Sequence, residues 1–300
     1  MAATGRTTYL TYRGLSAALE LIPRPLAPMV ATIGGLTMSR VWRSKRPLLR
    51  RNLRRVLGPD VSTATIEHYV TRAFDSYAHY WVEASRLGSL PESQFNRVWS
   101  IEGFEHAERA MAEGRGVILA LPHLGNWEYG GRWLATVGAP MTTVAEAIEP
   151  PELFEWFVAQ RERIGLTILA PGAETSAVLI KTLREGRLIG LVADRDLSGT
   201  GVEVEFFGET TTLPAGAATL ALRTGADLMS CAVYDTGAGR HHAQINAPID
   251  CSRSVGGRLR EDIARITQAL AHELEALIRR APEQWHMFQA NWPRDRADGL

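Results

Sequence analysis

From Val117 onward the chain alternates short, continuous apolar runs with stretches of helical period, and few architectures accommodate that pattern. The apolar runs are Val117–Leu121, Thr142–Ala145, Leu166–Leu169, Leu188–Ala193 and Leu228–Val233, each short enough for a strand. Helical patterns at Trp127–Val137, Pro151–Ile164 and Thr175–Leu183 fall between them. Upstream, Ile66, Val70, Ala73, Phe74, Tyr77 and Trp81 recur at spacings of three and four, which predicts a helix over Thr63–Leu87. A last amphipathic helix is expected over Arg258–Arg280. Strands apolar on both sides, such as VILAL, need cover on both faces. The expected fold class is therefore α/β: a central, largely parallel or mixed sheet with helices on both faces and a helical N-terminal extension. With 300 residues, 45% of them hydrophobic, one domain spanning 1–300 is the economical division. Within it, residues 1–60 form a helical segment and residues 61–300 the α/β core.

Lysine plus arginine balance aspartate plus glutamate at 33 each, so attraction to an anionic partner has to come from a local patch. Arg40–Arg55 is such a patch: RVWRSKRPLLRRNLRR holds eight cations and no acid, interleaved with Val41, Trp42, Leu48, Leu49 and Leu53. It reads equally as an interfacial anchor on an anionic membrane and as a solvated helix whose leucines pack inward. Nucleic acid ranks lower, because the neighbouring apolar stretch 25–39 has no role there and no zinc-finger or RNP signature is present. That stretch is too short and too interrupted to span a bilayer, and Arg13, Glu20, Pro23 and Arg24 break any signal-peptide core. The two cysteines, Cys231 and Cys251, form no metal-binding spacing and no disulfide framework.

The chain has no GxSxG elbow, no GxxxxGK phosphate loop, no HExxH and no GxGxxG after a strand. What stands out instead is PHLGNWE, Pro122–Glu128, between the strand Val117–Leu121 and a helix. On one regular helix, His123 and Glu128 would lie about 140° apart. A loop removes the conflict. With His123 at the strand end and Asn126 as N-cap, Glu128 enters the first helical turn and can point back to the imidazole, which makes a general base. Singly, His123 is an ordinary loop residue and Glu128 an ordinary partner of the helix dipole. Position adds weight, because open α/β sheets bind ligands beyond the carboxyl ends of their strands. Glu146 follows TTVA there, and Asp194, Arg195 and Asp196 follow LIGLVA. Asp194 and Asp196 also read as turn formers, Glu146 as a surface acid, and Arg161 as a solvated residue or a phosphate ligand.

These residues resemble the bacterial lipid acyltransferases that include the lipid A late acyltransferases and the actinobacterial phosphatidylinositol mannoside acyltransferases. The resemblance spans nearly the whole chain. It is carried by LALPHLGNWE, TTVAEAIEP, FVAQRERIG, LVADRDLSGTGVEVEFFGE, LPAGAATLALRTGA and PEQWHMFQANW in that order. ADRDLSGTGVEVEFFGE and WHMFQ look like the mannoside branch. The resemblance implies a peripheral enzyme at the cytoplasmic face of the plasma membrane. It would move a fatty acyl group, typically palmitoyl, from acyl-CoA to a mannose hydroxyl of a phosphatidylinositol mannoside, with no further cofactor and no metal. It implies His123 as base, Glu128 as its HxxxxD/E partner, Asp194 as the acid that polarises the histidine, and Glu146 and Arg161 as site-lining groups. Asn126, Arg195 and Asp196 are added as substrate contacts. The family often has Asp at the position of Glu128 and Glu at that of Asp194, so which acid serves the histidine stays open. Oxyanion donors are expected from the amides of Gly125 to Trp127 or from Arg161.

Overall fold

A computed structural model of the chain describes residues 2–197 and 199–299; Met1, Ser198 and Leu300 lie outside the described residues. Four helices come first: α1 (Ala2–Leu21), α2 (Ala27–Val41), α3 (Arg46–Leu57) and α4 (Thr63–Leu87). Ser62 caps α4 by accepting from the Thr65 amide at 3.1 Å. Gly35 lets α2 lie against α4, since a Cβ there would sit 2.6 Å from the Asp75 Cα.

The remainder is α/β. In chain order it contains α5 (Glu92–Val98), β1 (Trp99–Glu102), α6 (Phe104–Ala112), β2 (Val117–Leu121), α7 (Trp127–Thr136), β3 (Thr142–Val144), α8 (Pro151–Glu162), β4 (Thr167–Leu169), α9 (Thr175–Arg184) and β5 (Leu188–Val192). A hairpin follows, β6 (Val202–Phe206) and β7 (Glu209–Leu213), then α10 (Gly216–Thr224), β8 (Asp227–Asp235), β9 (His241–Ile245), α11 (Leu259–Arg280) and α12 (Pro293–Ala297). Seven strands form one sheet in the order β1-β9-β8-β2-β5-β3-β4. The β8–β9 pair is antiparallel and every other pair in this sheet is parallel. The expected α/β class and helical N-terminal region are borne out.

Burial in the central strands alternates with period two between two cores. Ile118, Ala120, Ile189, Leu228 and Ala232 point to a core shared with α9, α10 and α11. Val117, Leu119, Leu121, Leu188, Met229 and Val233 point to the opposite core, where Phe95, Ala107, Ala110 and Leu134 from α5, α6 and α7 meet them. Both faces are covered, as fully apolar strands require. The strands β1, β6, β7 and β9 have no counterpart in the sequence reading. The outer ones carry polar residues at alternate positions, as HHAQI does, which dilutes the apolar signal.

The Arg40–Arg55 patch contains α3, and its leucines turn inward: Leu48, Leu49 and Leu53 are buried, the latter two beneath Phe74 and Val70. The arginines of that helix staple it to its neighbours. Arg46 and Arg50 both pair with Glu67 of α4. Arg51 reaches Asp295 at 2.9 Å and Asp298 at 2.7 Å. Arg55 bonds Asp295 at 2.7 Å and Glu209 at 2.9 Å, and its guanidinium lies 4.0 Å from the Trp292 ring centroid. Of the two readings of this patch, inward packing holds for Leu48, Leu49 and Leu53, whereas Val41 and Trp42 are exposed. Exposed apolar side chains are found instead on α1 and α2: Leu10, Leu15, Met29, Ile33, Leu36 and Val41. No described helix is long and apolar enough to cross a membrane.

Candidate active site

The sheet order places β5 between β2 and β3, and that decides which side chains meet. In the parallel β2–β5 pair, Leu121 is opposite Val192, and the Ala193 amide continues the ladder to the Leu121 carbonyl at 2.9 Å. Two residues further along each strand, the same register sets His123 opposite Asp194. Their side chains join at 2.6 Å, Nδ1 of the imidazole to Oδ1 of the carboxylate. The second carboxylate oxygen accepts the His123 amide at 3.0 Å and Nε1–H of Trp285 at 2.8 Å. Asn291 Nδ2 holds the Asp194 carbonyl at 3.0 Å. Asp194 is completely buried, whereas a third of the His123 side chain is exposed. Burial opposes ionisation of Asp194. The His123 charge, its two N–H donors and that of Trp285 outweigh it and hold the carboxyl below its usual value.

Glu128 does not reach the imidazole, which corrects the expected HxxxxE pairing. Entering α7 it turns toward the helical layer, where it accepts from the Tyr80 hydroxyl at 3.2 Å and from Arg161 Nε at 3.1 Å. Arg161 also lies over the Trp127 ring, 5.2 Å from its centroid. Burial first, and the charge of Glu128 second, push the Tyr80 phenol above its ordinary value, so it stays a donor. Glu128, Tyr80 and Arg161 thus form a hydrogen-bonded polar set beside the His123–Asp194 pair.

The loop between His123 and Glu128 is held by backbone. The amide of Gly125 bonds the Gln284 carbonyl and that of Asn126 the Val233 carbonyl, both at 3.0 Å; the His286 amide bonds the His123 carbonyl at 2.7 Å. Gly125 has φ +58°, and a Cβ there would sit 1.9 Å from the Val233 oxygen, so only glycine lets the loop lie on β8. The amides of Gly125 and Asn126 are consequently engaged and unable to serve as oxyanion donors, which leaves the Trp127 amide and Arg161 of the expected set. Asn126 occupies the N-cap position without capping α7; its side chain donates to Glu83 at 3.3 Å.

The remaining expected residues divide. Glu146 and Arg195 pair at 2.7 Å at the mouth of the site, and Arg195 Nε has no hydrogen-bond partner among the described residues. Asp196 is a loop former: its carboxylate accepts the amides of Gly199 and Gly201 and the Thr212 hydroxyl. It contacts the cleft wall but its oxygens serve the loop. Four residues escaped the sequence reading, namely Tyr80, Trp285, His286 and Asn291. For the last three the only signal was a closing segment, WHMFQANW, dense in aromatic and polar residues.

A cleft of about 540 Å³ opens over these strand ends, lined by His123, Trp127, Glu146, Phe157, Arg161 and Arg195 among others. A second cavity of about 380 Å³ lies between α1, α2, α4 and α8, with a largely apolar lining that includes Leu15, Leu19, Val30, Gly34, Ala78 and Val82. Trp81, Phe157 and Arg161 belong to both. A histidine on a buried acid, beside paired polar and apolar spaces, is suited to moving a proton at a boundary between water and hydrocarbon.

Residues 3–294 match the bacterial lipid A biosynthesis acyltransferase family. The chain belongs to that family. Within it, phosphatidylinositol mannoside acyltransferase of Mycobacterium tuberculosis is 39% identical over 257 residues, covering 83% of this chain and 78% of that protein. The corresponding protein of Mycolicibacterium smegmatis is 36% identical over 297 residues, covering 98% and 94%. A lipid A biosynthesis acyltransferase of Haemophilus influenzae is 28% identical over 200 residues, covering 66% and 59%. The resemblance carried by LALPHLGNWE and the blocks after it is thus borne out, and the mannoside relatives match more of this acyltransferase-family chain than the lipid A relative does.

Proposed function

We propose that this protein transfers a fatty acyl group, palmitoyl in the first instance, from acyl-CoA to a mannose hydroxyl of a phosphatidylinositol mannoside, with His123 as general base. The observation that carries the reading is the 2.6 Å contact from His123 Nδ1 to fully buried Asp194, at a cleft that shares Trp81, Phe157 and Arg161 with an apolar cavity. With Nδ1–H donated to Asp194, Nε2 is the basic nitrogen.

Nε2 takes the proton of the mannose hydroxyl as the oxygen attacks the thioester carbonyl. The new C–O bond forms, the C–S bond breaks, and the imidazolium returns its proton to the departing thiolate. Asp194 stabilises the imidazolium in between. Arg161 and Arg195, both in the cleft wall, are the donors suited to the carbonyl oxygen as charge collects on it. Direct transfer fits the two thiols. Burial raises Cys231 to about 12 and Cys251 to about 11, and neither lines the cleft. The acyl chain belongs in the apolar cavity, and the exposed apolar residues of α1 and α2 suit a lipid surface at the cytoplasmic face of the plasma membrane.

Incubation with palmitoyl-CoA and a phosphatidylinositol mannoside should add one palmitoyl mass to the mannoside and release free CoA. Acylation of a glucosamine lipid in preference to the mannoside would overturn the acceptor. Binding of both lipids without CoA release would leave a lipid-binding scaffold and overturn the activity.

A further inference from the structure

We propose that the protein carries a divalent transition-metal site, of the kind zinc occupies, built from His79 and Glu83 of α4 and Asp235 at the end of β8. Nothing in the acyl-transfer reading requires it.

His79 and Glu83 are four residues apart, so they share one face of α4. Sheet and helix layers bring Asp235 to that face, and one ligand atom from each of the three lies within 4.8 Å of the others. All three line a cavity of about 360 Å³. Neither Glu83 nor Asp235 pairs with an arginine or lysine among the described residues. Arg24 and Arg86 border the same cavity but spend donors on the carbonyls of Ser89 and Leu19. Asp235 accepts the Gly237 amide at 2.7 Å, and His79 Nε2 stands 3.3 Å from the Thr32 hydroxyl and 3.8 Å from Asp75. Two half-buried carboxylates without an arginine or lysine partner among the described residues converge beside an imidazole, which is a donor set for a cation.

A second observation points the same way. His241, the cross-strand neighbour of Asp235, has a fully buried side chain, and among the described residues neither ring nitrogen makes a hydrogen bond. Its Nε2 lies 3.4 Å from Glu83 Oε2, within ion-pair reach but outside hydrogen-bond geometry, and its ring stacks on Tyr129 at 3.7 Å. Asn126 approaches the same oxygen at 3.3 Å and leaves its own Oδ1 without a partner among the described residues. Metal-bound carboxylates take such outer donors, and a bound cation would draw this underbonded file together.

The imidazole favours zinc over calcium or magnesium, which prefer oxygen alone. Zinc bonds nitrogen and carboxylate oxygen at about 2.0–2.2 Å, so the donors would close to roughly 3.3 Å apart by side-chain rotation. Such an ion would tie α4 to the β8–β9 hairpin. Through Glu83 and Asn126 it would also stiffen the loop that carries His123, a structural role with no part in the chemistry.

The test uses the full-length protein stripped with a chelator and titrated with zinc chloride in a calorimeter. Binding of a single ion is expected, together with a rise in thermal midpoint. His79→Ala and Asp235→Asn should each weaken binding by tenfold or more, whereas His242→Ala, outside the cluster, should not. Cobalt in the same site should absorb in the visible without a thiolate band. If the variants fail to fold, zinc should still protect His79 of the wild type from diethyl pyrocarbonate. Absence of zinc binding, binding that survives both substitutions, a thiolate band, or unprotected His79 would each overturn the site.

Discussion

At the scale of single residues, one strand register decides the chemistry. Because Leu121 pairs with Val192, His123 faces Asp194, and Glu128 is left to Tyr80 and Arg161. His123→Ala should lower turnover by about 10²–10⁴ while the circular-dichroism spectrum stays unchanged. Asp194→Asn should cost a similar factor and alter the pH profile of kcat, since the amide no longer fixes the tautomer or supports the imidazolium. Glu128→Gln should leave the shape of that profile alone. Glu128→Ala, by stranding Arg161, should cost about 3–5 kcal/mol in urea unfolding, and Glu128→Leu with Arg161→Leu should recover most of it. His286, under the site, is lowered to about 3 by burial first and by the His123 charge second. Unfolded, it titrates near 6.5. Its folded pKa being the lower, its contribution to stability is full above about 6.5 and is lost as pH falls toward 3. Thermal midpoints should therefore drop from pH 7 to pH 4 less steeply in His286→Asn than in the wild type. Every residue of this site except Tyr80 of α4 and Arg161 of α8 follows a strand or closes the chain. The sequence exposed His123, Asp194 and Glu128 as neighbours in a pattern, but not which acid touched the ring, because lateral strand order is absent from a linear pattern.

At the scale of elements, the helical layer supplies the apolar half of the site. Gly34 of α2 borders the apolar cavity, where an added Cβ meets only Ala78 at 3.7 Å. Gly34→Leu should fill part of that space and also favour the helix by about 0.5–1 kcal/mol. The variant should thus remain folded and shift donor preference from palmitoyl-CoA toward shorter chains, read as the ratio of kcat/KM between them. An unchanged ratio would place the chain elsewhere. The helix α3 shows how a sequence pattern can carry two meanings. Its inward leucines and outward arginines were visible as an amphipathic face, but the acids that bind those arginines lie at Glu67, Glu209, Asp295 and Asp298, up to 247 residues away. No local reading could distinguish a staple from a lipid anchor. The strands β2 and β5, by contrast, declared themselves, since burial on two faces demands unbroken apolar runs.

For the whole molecule, the exposed apolar residues of α1 and α2 form its lipid-facing surface in the proposed reading, with Arg40, Arg43 and Lys45 at and just beyond the end of α2 as neighbouring cations. Ile33→Asp with Leu36→Asp should abolish co-sedimentation with vesicles of phosphatidylinositol and phosphatidylcholine. Neutralising Arg40, Arg43 and Lys45 should weaken it several-fold at low salt, with little further effect near 0.5 M, where charges are screened within about 5 Å. Arg51 and Arg55 are unsuitable for that test because they hold α12 through fully buried Asp295. The sequence by itself determined the α/β class, the helical beginning, the strand ends where chemistry gathers and the family, because these rest on local period and contiguous motifs. Tertiary structure alone decided that Asp194 holds His123, that Glu128 belongs to Arg161, that Arg46, Arg50, Arg51 and Arg55 of α3 pair with acids of other segments, and that His79, Glu83 and Asp235 share one cavity. Each depends on which distant segments pack side by side, and that is settled by burial over the whole chain and not by the residues adjoining each group.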